Sequence, residues 1–295
     1  MTARIIDGAA IAAEVRADVA RDVAAHVAAG GAQPHLSVVL VGDDPASHVY
    51  VRNKGRACEE VGMTSETIHL PASTAQQEVL DTVARLNGDP GVTGILVQMP
   101  LPPQVDEQAV MRTLDQRKDV DGLSPMNLGL LLQGTPLHVP ATPTGVMEML
   151  RRSDIDPAGQ RVVIVGRSIL VGRPLAMLLA NKAPGANATV TLAHTGTSDL
   201  GEVTREADIL VAAMGRPRAI TAEMVKPGAT VIDVGINPVA DATRKSGRRL
   251  VGDVDYEAVR EVASAITPVP GGVGPMTIAM LVVNTLRAAQ IPASL

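Results

Sequence analysis

Phenylalanine and tryptophan are absent from this chain of 295 residues, and tyrosine occurs only twice, as Tyr50 and Tyr256. A flat-ring ligand therefore finds few aromatic faces to stack on. The single cysteine, Cys58, allows no internal disulfide, so nothing calls for an oxidising compartment. An excess of positive charge is missing too: the net charge of -5 argues against nucleic acid or an anionic membrane as a partner. No run approaches the roughly 20 uncharged apolar residues of a membrane span. The opening residues, MTARIID, bring charge too early and carry no apolar stretch of the kind a secretory signal needs. The expectation is a soluble, cytoplasmic protein. Six histidines (His26, His35, His48, His69, His138 and His194) show no ligand-like spacing, which disfavours a metal enzyme. Lysine is scarce in an arginine-dominated chain, at Lys54, Lys118, Lys182, Lys226 and Lys245.

The chain does have a well-packed globular composition, 46% hydrophobic and 19% charged, with length enough for two ordinary domains. Helix-like and strand-like segments alternate, which favours parallel sheets covered by helices. Residues 8–29 are alanine-rich with apolar residues at helical spacing. HLSVVLVG at 35–42 reads as a strand, 47–61 as a helix, 66–70 as a strand, 76–87 as a helix and GILVQ at 94–98 as a strand. This βαβαβ order makes a first open α/β lobe. The stretch 118–144, rich in Gly, Pro and Asn, is expected to be an irregular connection lying across a cleft. A helix at 144–152 leads to a second lobe, with strands at 161–166, 189–193, 209–213 and 230–234. A closing helix is expected over 275–289, with Pro275 near its start.

In the second lobe, strand VVIV runs into GRSILVGRP at 166–174. A glycine at the strand end permits a tight turn, and free N–H groups with the dipole at the adjoining helix start favour a pyrophosphate. The spacing departs from G-x-G-x-x-G, but the later βα repeats complete a mononucleotide fold. An NAD site holds the ribose 2′-hydroxyl with a carboxylate near the end of the second strand. Here that strand runs into His194-Thr195-Gly196-Thr197, with no carboxylate before Asp199. Arg167 and Arg173 lie in the glycine turn. Either they are solvated loop residues or their guanidinium groups pair with a 2′-phosphate; the second reading predicts NADP over NAD.

In the first lobe Ser47, Tyr50 and Lys54 stand at i, i+3 and i+7, on one face of a helix. A surface stripe has the same spacing. Two features favour chemistry: an indifferent cation in this chain would be Arg, and Lys, unlike Arg, gives up its proton near another cation. Three further segments carry information: VQMPLP from Val97, KDVDGLSPMNLG from Lys118, and TPVPGGVGPMT from Thr267, the last too rich in Gly and Pro for a regular element.

Together with VGRSILVGRP and the pair VIDVGIN and VGDVDY, these segments resemble the bifunctional methylenetetrahydrofolate dehydrogenase/methenyltetrahydrofolate cyclohydrolase family, over almost the whole chain and in the same order. The resemblance implies two α/β lobes flanking a cleft. Residues 1–145, completed by a terminal segment 275–295, are expected to form the catalytic, folate-binding domain. Residues 146–274 are expected to form a Rossmann-type parallel-sheet domain for NADP. It implies Lys54 as principal catalytic residue of the hydrolytic step, Tyr50 against the folate rings, Gln98 tuning the lysine, Asp121 on the amino-pyrimidine edge of the pterin, and Ser47 as a polar neighbour. Folate contacts are also implied for Pro270, Gly271 and Gly274. Cofactor contacts are implied for Gly166, Arg167, Ser168, Thr195 and Ile236, with Arg173 added by the glycine-turn reading. Bacterial-type relatives are usually homodimers. The departures are small: Ala141 stands where the family often has Cys, and Met99 where it often has Leu. Rival readings are an NADP dehydrogenase of another small substrate and a silent nucleotide-sensing module.

Overall fold

By its internal contacts the chain divides into two units, Met1–Ala12 with Thr142–Thr277, and Ala13–Ala141 with Ile278–Leu295. The structure, a computed structural model, describes residues 2–244 and 247–292. The last three residues of the expected segment 275–295 lie outside them. The chain opens with β1 (Arg4–Ile5) and then α1 (Gly8–Ala28). At two residues, β1 is too short for any periodic signal.

The unit of residues 13–141 is built on a parallel three-stranded sheet in the order β3-β2-β4, with β2 (His35–Val41), β3 (Thr64–Leu70) and β4 (Gly94–Val97). The crossovers are α2 (Pro45–Glu60) and α3 (Gln76–Gly88). Central β2 is buried from Leu36 onward, which its continuous apolar run anticipates for a strand covered on both faces. Edge strand β3 holds only exposed and half-buried positions. Val39, Val41, Val79, Val83, Leu86, Ile95 and Val97 form the core between sheet and helix. Two short helices come after β4: α4 (Glu107–Thr113) and α5 (Pro125–Leu132). The expected irregular stretch 118–144 is thus partly helical. Ser124 accepts from Asn127 N–H, Pro125 takes the first helical turn, and the apolar run MNLGLLL comes next. Those signals outweigh the local Gly and Pro content. Asn284 lies in the same unit, and its side chain donates to the carbonyls of Val120 and Val139, both at 2.9 Å. It thereby ties both ends of this stretch together.

The other unit holds residues 1–12, with β1, and resumes at α6 (Ala141–Arg152), which starts three residues earlier than its sequence pattern suggests. Then come β5 (Arg161–Val165), α7 (Gly172–Ala180), β6 (Thr189–Ala193), α8 (Leu200–Thr204), β7 (Ile209–Ala212) and β8 (Thr230–Asp233). An antiparallel hairpin of β9 (Asn237–Ala240) and β10 (Arg248–Val251) is next, then α9 (Tyr256–Val259), β11 (Ala265–Ile266) and α10 (Val273–Ala289), which from Ile278 onward belongs to the unit of residues 13–141. Six strands make an all-parallel sheet in the order β1-β11-β8-β7-β5-β6. From β5 the chain moves outward to β6, then returns to the opposite side of β5 as β7. The direction of travel therefore switches at the carboxyl ends of β5 and β7, where ligands of open α/β sheets bind. The parallel Rossmann-type sheet matches expectation. Among the described residues no helix is long and apolar enough to cross a membrane.

Candidate functional site

In the unit of residues 13–141 the helix α2 carries the lysine. Its start is fixed by Asp44, whose carboxylate accepts both the N–H of Ser47 at 2.8 Å and the Ser47 hydroxyl at 2.9 Å. Ser47 is thereby committed to the helix cap and buried. Tyr50 is 43% exposed, so its ring is available to a ligand. One turn further, Lys54 Nζ donates to Gln98 Oε1 at 3.0 Å. Gln98 is itself held at both ends. Its backbone N–H donates to Val39 O at 2.9 Å and its side-chain amide to Met99 O at 2.6 Å. Met99 contributes a backbone carbonyl here, which Leu would offer equally.

Asp121 reaches this cluster because the chain after Lys118 is laid along β4. Ile95 bridges Asp119 in parallel, and Ile95 N–H donates to Lys118 O at 2.7 Å. Burial pushes the Lys54 ammonium below the ordinary lysine value, and the Asp121 carboxylate opposes part of that shift. Burial in turn raises Asp121, against the pull of Lys54. A desolvated amine with a lowered pKa, oriented by an amide oxygen, is a poised proton acceptor.

The second site lies in the other unit. A cavity of about 430 Å³ at the carboxyl ends of β5, β6 and β7 is lined by Gly166, Arg167, Ser168 and Thr195, four of the expected cofactor residues. The backbone shows why glycine is needed. Gly166 has φ of 138°, and a Cβ there would lie 2.2 Å from Ala213 O. Gly172 comes so close to the turn that a Cβ would lie 2.0 Å from Gly166 O. Such a cradle admits a phosphate to the backbone N–H groups at the start of α7, and it fits a dinucleotide. Arg173 is exposed on α7 and is not part of this lining. Ile236 is not part of it either. It borders a smaller cavity of about 130 Å³ with Pro270, Gly271 and Gly274, the residues expected to meet folate.

Two residues of this candidate site are not apparent in the sequence. Arg216 lines the same cavity just after β7; the strand-order rule flags this loop, but the order itself is not legible in sequence. Asp253, fully buried, accepts from the N–H groups of Met214, Gly215 and Arg216 at 2.6, 2.9 and 2.8 Å, and from Asn237 at 2.8 Å. It fixes the loop that carries Arg216. The VGDVDY motif hints at such a role without naming its partners.

Residues 6–121 match the catalytic domain of tetrahydrofolate dehydrogenase/cyclohydrolase, and residues 140–293 match the NAD(P)-binding domain of the same family. The chain belongs to the tetrahydrofolate dehydrogenase/cyclohydrolase family. It is 55% identical to a protein of Rhodopirellula baltica named bifunctional protein FolD, over 100% of this chain and 99% of that one. Among solved structures, the bifunctional FolD enzyme of Campylobacter jejuni superposes with a TM-score of 0.91 at 43% identity, covering 97% of this chain and 98% of that chain. The Trypanosoma brucei methylenetetrahydrofolate dehydrogenase-cyclohydrolase, solved with NADP and an inhibitor, gives a TM-score of 0.92 at 40% identity, with 98% of both chains covered. The resemblance carried by the motifs is thus the family of the whole chain.

Proposed function

We propose that this chain oxidises 5,10-methylenetetrahydrofolate to the 5,10-methenyl cation with NADP, and then hydrolyses that cation to 10-formyltetrahydrofolate. The observation that carries the reading is the Lys54–Gln98 pair beside Asp121, a desolvated amine where the hydrolysis needs a base. Like-charge repulsion from a bound cationic substrate drives Lys54 further towards its neutral form. The neutral amine then takes a proton from the attacking water, while the Gln98 oxygen holds Nζ in place. Tyr50 supplies one of the two tyrosine faces in the chain and positions the pterin. Asp121 accepts two hydrogen bonds from the 2-amino-4-oxopyrimidine edge. Ser47 supports this set at one remove, by anchoring the start of α2. Pro270, Gly271 and Gly274 are assigned to folate, supported by their lining of one apolar cavity with Ile236.

When bound, NADP accepts the hydride. Gly166, Arg167, Ser168 and Thr195 would hold it, with Arg216 added by the cavity lining. Arg167 is the candidate for the 2′-phosphate, and no carboxylate between Thr189 and Asp199 competes with it. Arg173 and Ile236 keep a cofactor assignment from the sequence alone. Orientation and water exclusion carry the hydride step. We also infer a cytoplasmic homodimer. The buried Cys58 thiol, pushed up to about 12, fits persistence as a free thiol, and light scattering tests the dimer. The deciding assay tracks NADPH formation and methenyl decay together, with NADP and with NAD. Release of 10-formyltetrahydrofolate with a preference for NADP is the expected result; methenyl accumulation, or equal efficiency with NAD, would overturn the reading.

A further inference from the structure

Outside the Lys54 cluster, two histidines and an aspartate meet in the unit of residues 13–141. Asp43 comes just after β2, His48 stands in the first turn of α2, and His69 is next to last in β3. The sheet register brings them together. Leu40 pairs with His69, and Gly42 N–H donates to Leu70 O at 2.8 Å, so the chain leaving β2 passes beside His69. His48 N–H donates to Asp44 O at 3.1 Å, which folds the helix start back over the same spot. Asp43 Oδ1 lies 3.1 Å from His69 Nε2 and 3.6 Å from His48 Nε2. The two rings meet edge to face with centroids 5.3 Å apart, and one donor atom from each of the three residues lies within 4.8 Å of the others.

A tetrahedral ion imposes such separations. With metal–ligand bonds of about 2.0–2.1 Å, neighbouring ligand atoms sit about 3.3–3.4 Å apart. The edges of 3.1 and 3.6 Å bracket that value. The third edge closes by small side-chain rotations, since the side chains of His48, His69 and Asp43 are 42%, 43% and 74% exposed. Two imidazoles and one carboxylate suit a borderline first-row dication; calcium and magnesium ask for oxygen donors. Gly42 O accepts a hydrogen bond from His69 Nε2–H at 3.1 Å, a bond that gives way when that nitrogen takes an ion. The positive end of the α2 dipole works against a cation here. The neighbouring Asp44 carboxylate, which accepts from the Ser47 N–H and hydroxyl at that helix start, offsets it.

We propose that Asp43, His48 and His69 form a zinc-class site with an open coordination position at the amino-terminal end of α2. None of the three is assigned to folate or NADP, so this site and the proposed activity stand or fall separately. The test is calorimetric titration of the metal-stripped full-length protein with zinc chloride, with cobalt(II) as a spectroscopic probe. One ion per chain is expected, with Kd on the order of 10 µM, together with the visible absorption of tetrahedral cobalt. His48→Ala and His69→Ala should each weaken zinc binding about tenfold or more. Unchanged circular dichroism and thermal unfolding of the metal-free variants show that the fold survives. His69→Gln, closer in volume, provides a second route if His69→Ala unfolds. Absence of stoichiometric binding at about ten times that Kd, or equal affinity in the His48→Ala/His69→Ala protein, would overturn the proposal.

Discussion

The two units solve different physical problems. Around Lys54 the smaller sheet gathers ionisable side chains and partly shields them from water, so that protonation is the adjustable quantity. Around Gly166 the larger sheet works mainly with backbone: a glycine turn, a helix start and a loop held by one buried carboxylate. Hydrolysis needs a base of the right pKa; hydride transfer needs two rings held in place. On the proposed function, the first kind of environment serves the hydrolysis and the second holds the dinucleotide for the hydride step.

The sharpest way to break this division is Lys54→Met. Methenyl hydrolysis should fall by about 10²–10⁴-fold, the usual worth of a positioned base. NADP affinity, measured by fluorescence titration, should stay unchanged. Loss of both would show that the two sites are not separable. On the other side, Asp253→Ala removes the acceptor for three backbone N–H groups. It should destabilise the protein by roughly 3–5 kcal/mol in denaturant unfolding and weaken NADP binding. An unaltered NADP affinity would mean the Met214–Arg216 loop does not need that anchor.

Asp233 sharpens the comparison through pH, because here the cofactor unit also holds a desolvated acid. It is buried at 2% exposure, and burial raises its carboxyl to about 6 despite three backbone N–H donors. The folded state therefore binds more protons than the unfolded chain between about pH 4 and 6. Its contribution, fully present below the unfolded value, is lost as pH rises through that window, by about 3 kcal/mol. Denaturant unfolding at pH 4 and pH 7 should show this slope in the native protein and a flatter one in Asp233→Asn. A smaller effect is expected of Arg167→Ala, about 1.5–3 kcal/mol of NADP binding with little change for NAD. A parallel loss of both cofactors would remove Arg167 from the 2′-phosphate.

The legible parts of the sequence are those whose signal is local. Strands β2, β4 and β5 to β8 announce themselves as short apolar runs, and the glycine turn at Gly166 is marked by its place after β5. Lys54 stands out by composition. Gln98 and Asp121, in contrast, acquire meaning only beside it, through a parallel register and the Ile95–Asp119 bridge, and periodicity is blind to both. Only the family resemblance singles them out. Asp253 and its three N–H donors are separated by nearly forty residues of chain, and His48 meets His69 only across the β2–β3 pairing. Short elements such as β1, β11 and the β9–β10 hairpin are set by tertiary pairing and leave no pattern of their own.

The most direct measurement is the pH dependence of kcat for methenyl hydrolysis in the native protein and in Lys54→Met, after subtraction of the uncatalysed rate. The desolvated Lys54 places the rising limb below the ordinary lysine value of 10.5 and makes it vanish with the amine. A limb at that ordinary value, or one unchanged in Lys54→Met, would contradict the assignment of the hydrolysis to Lys54.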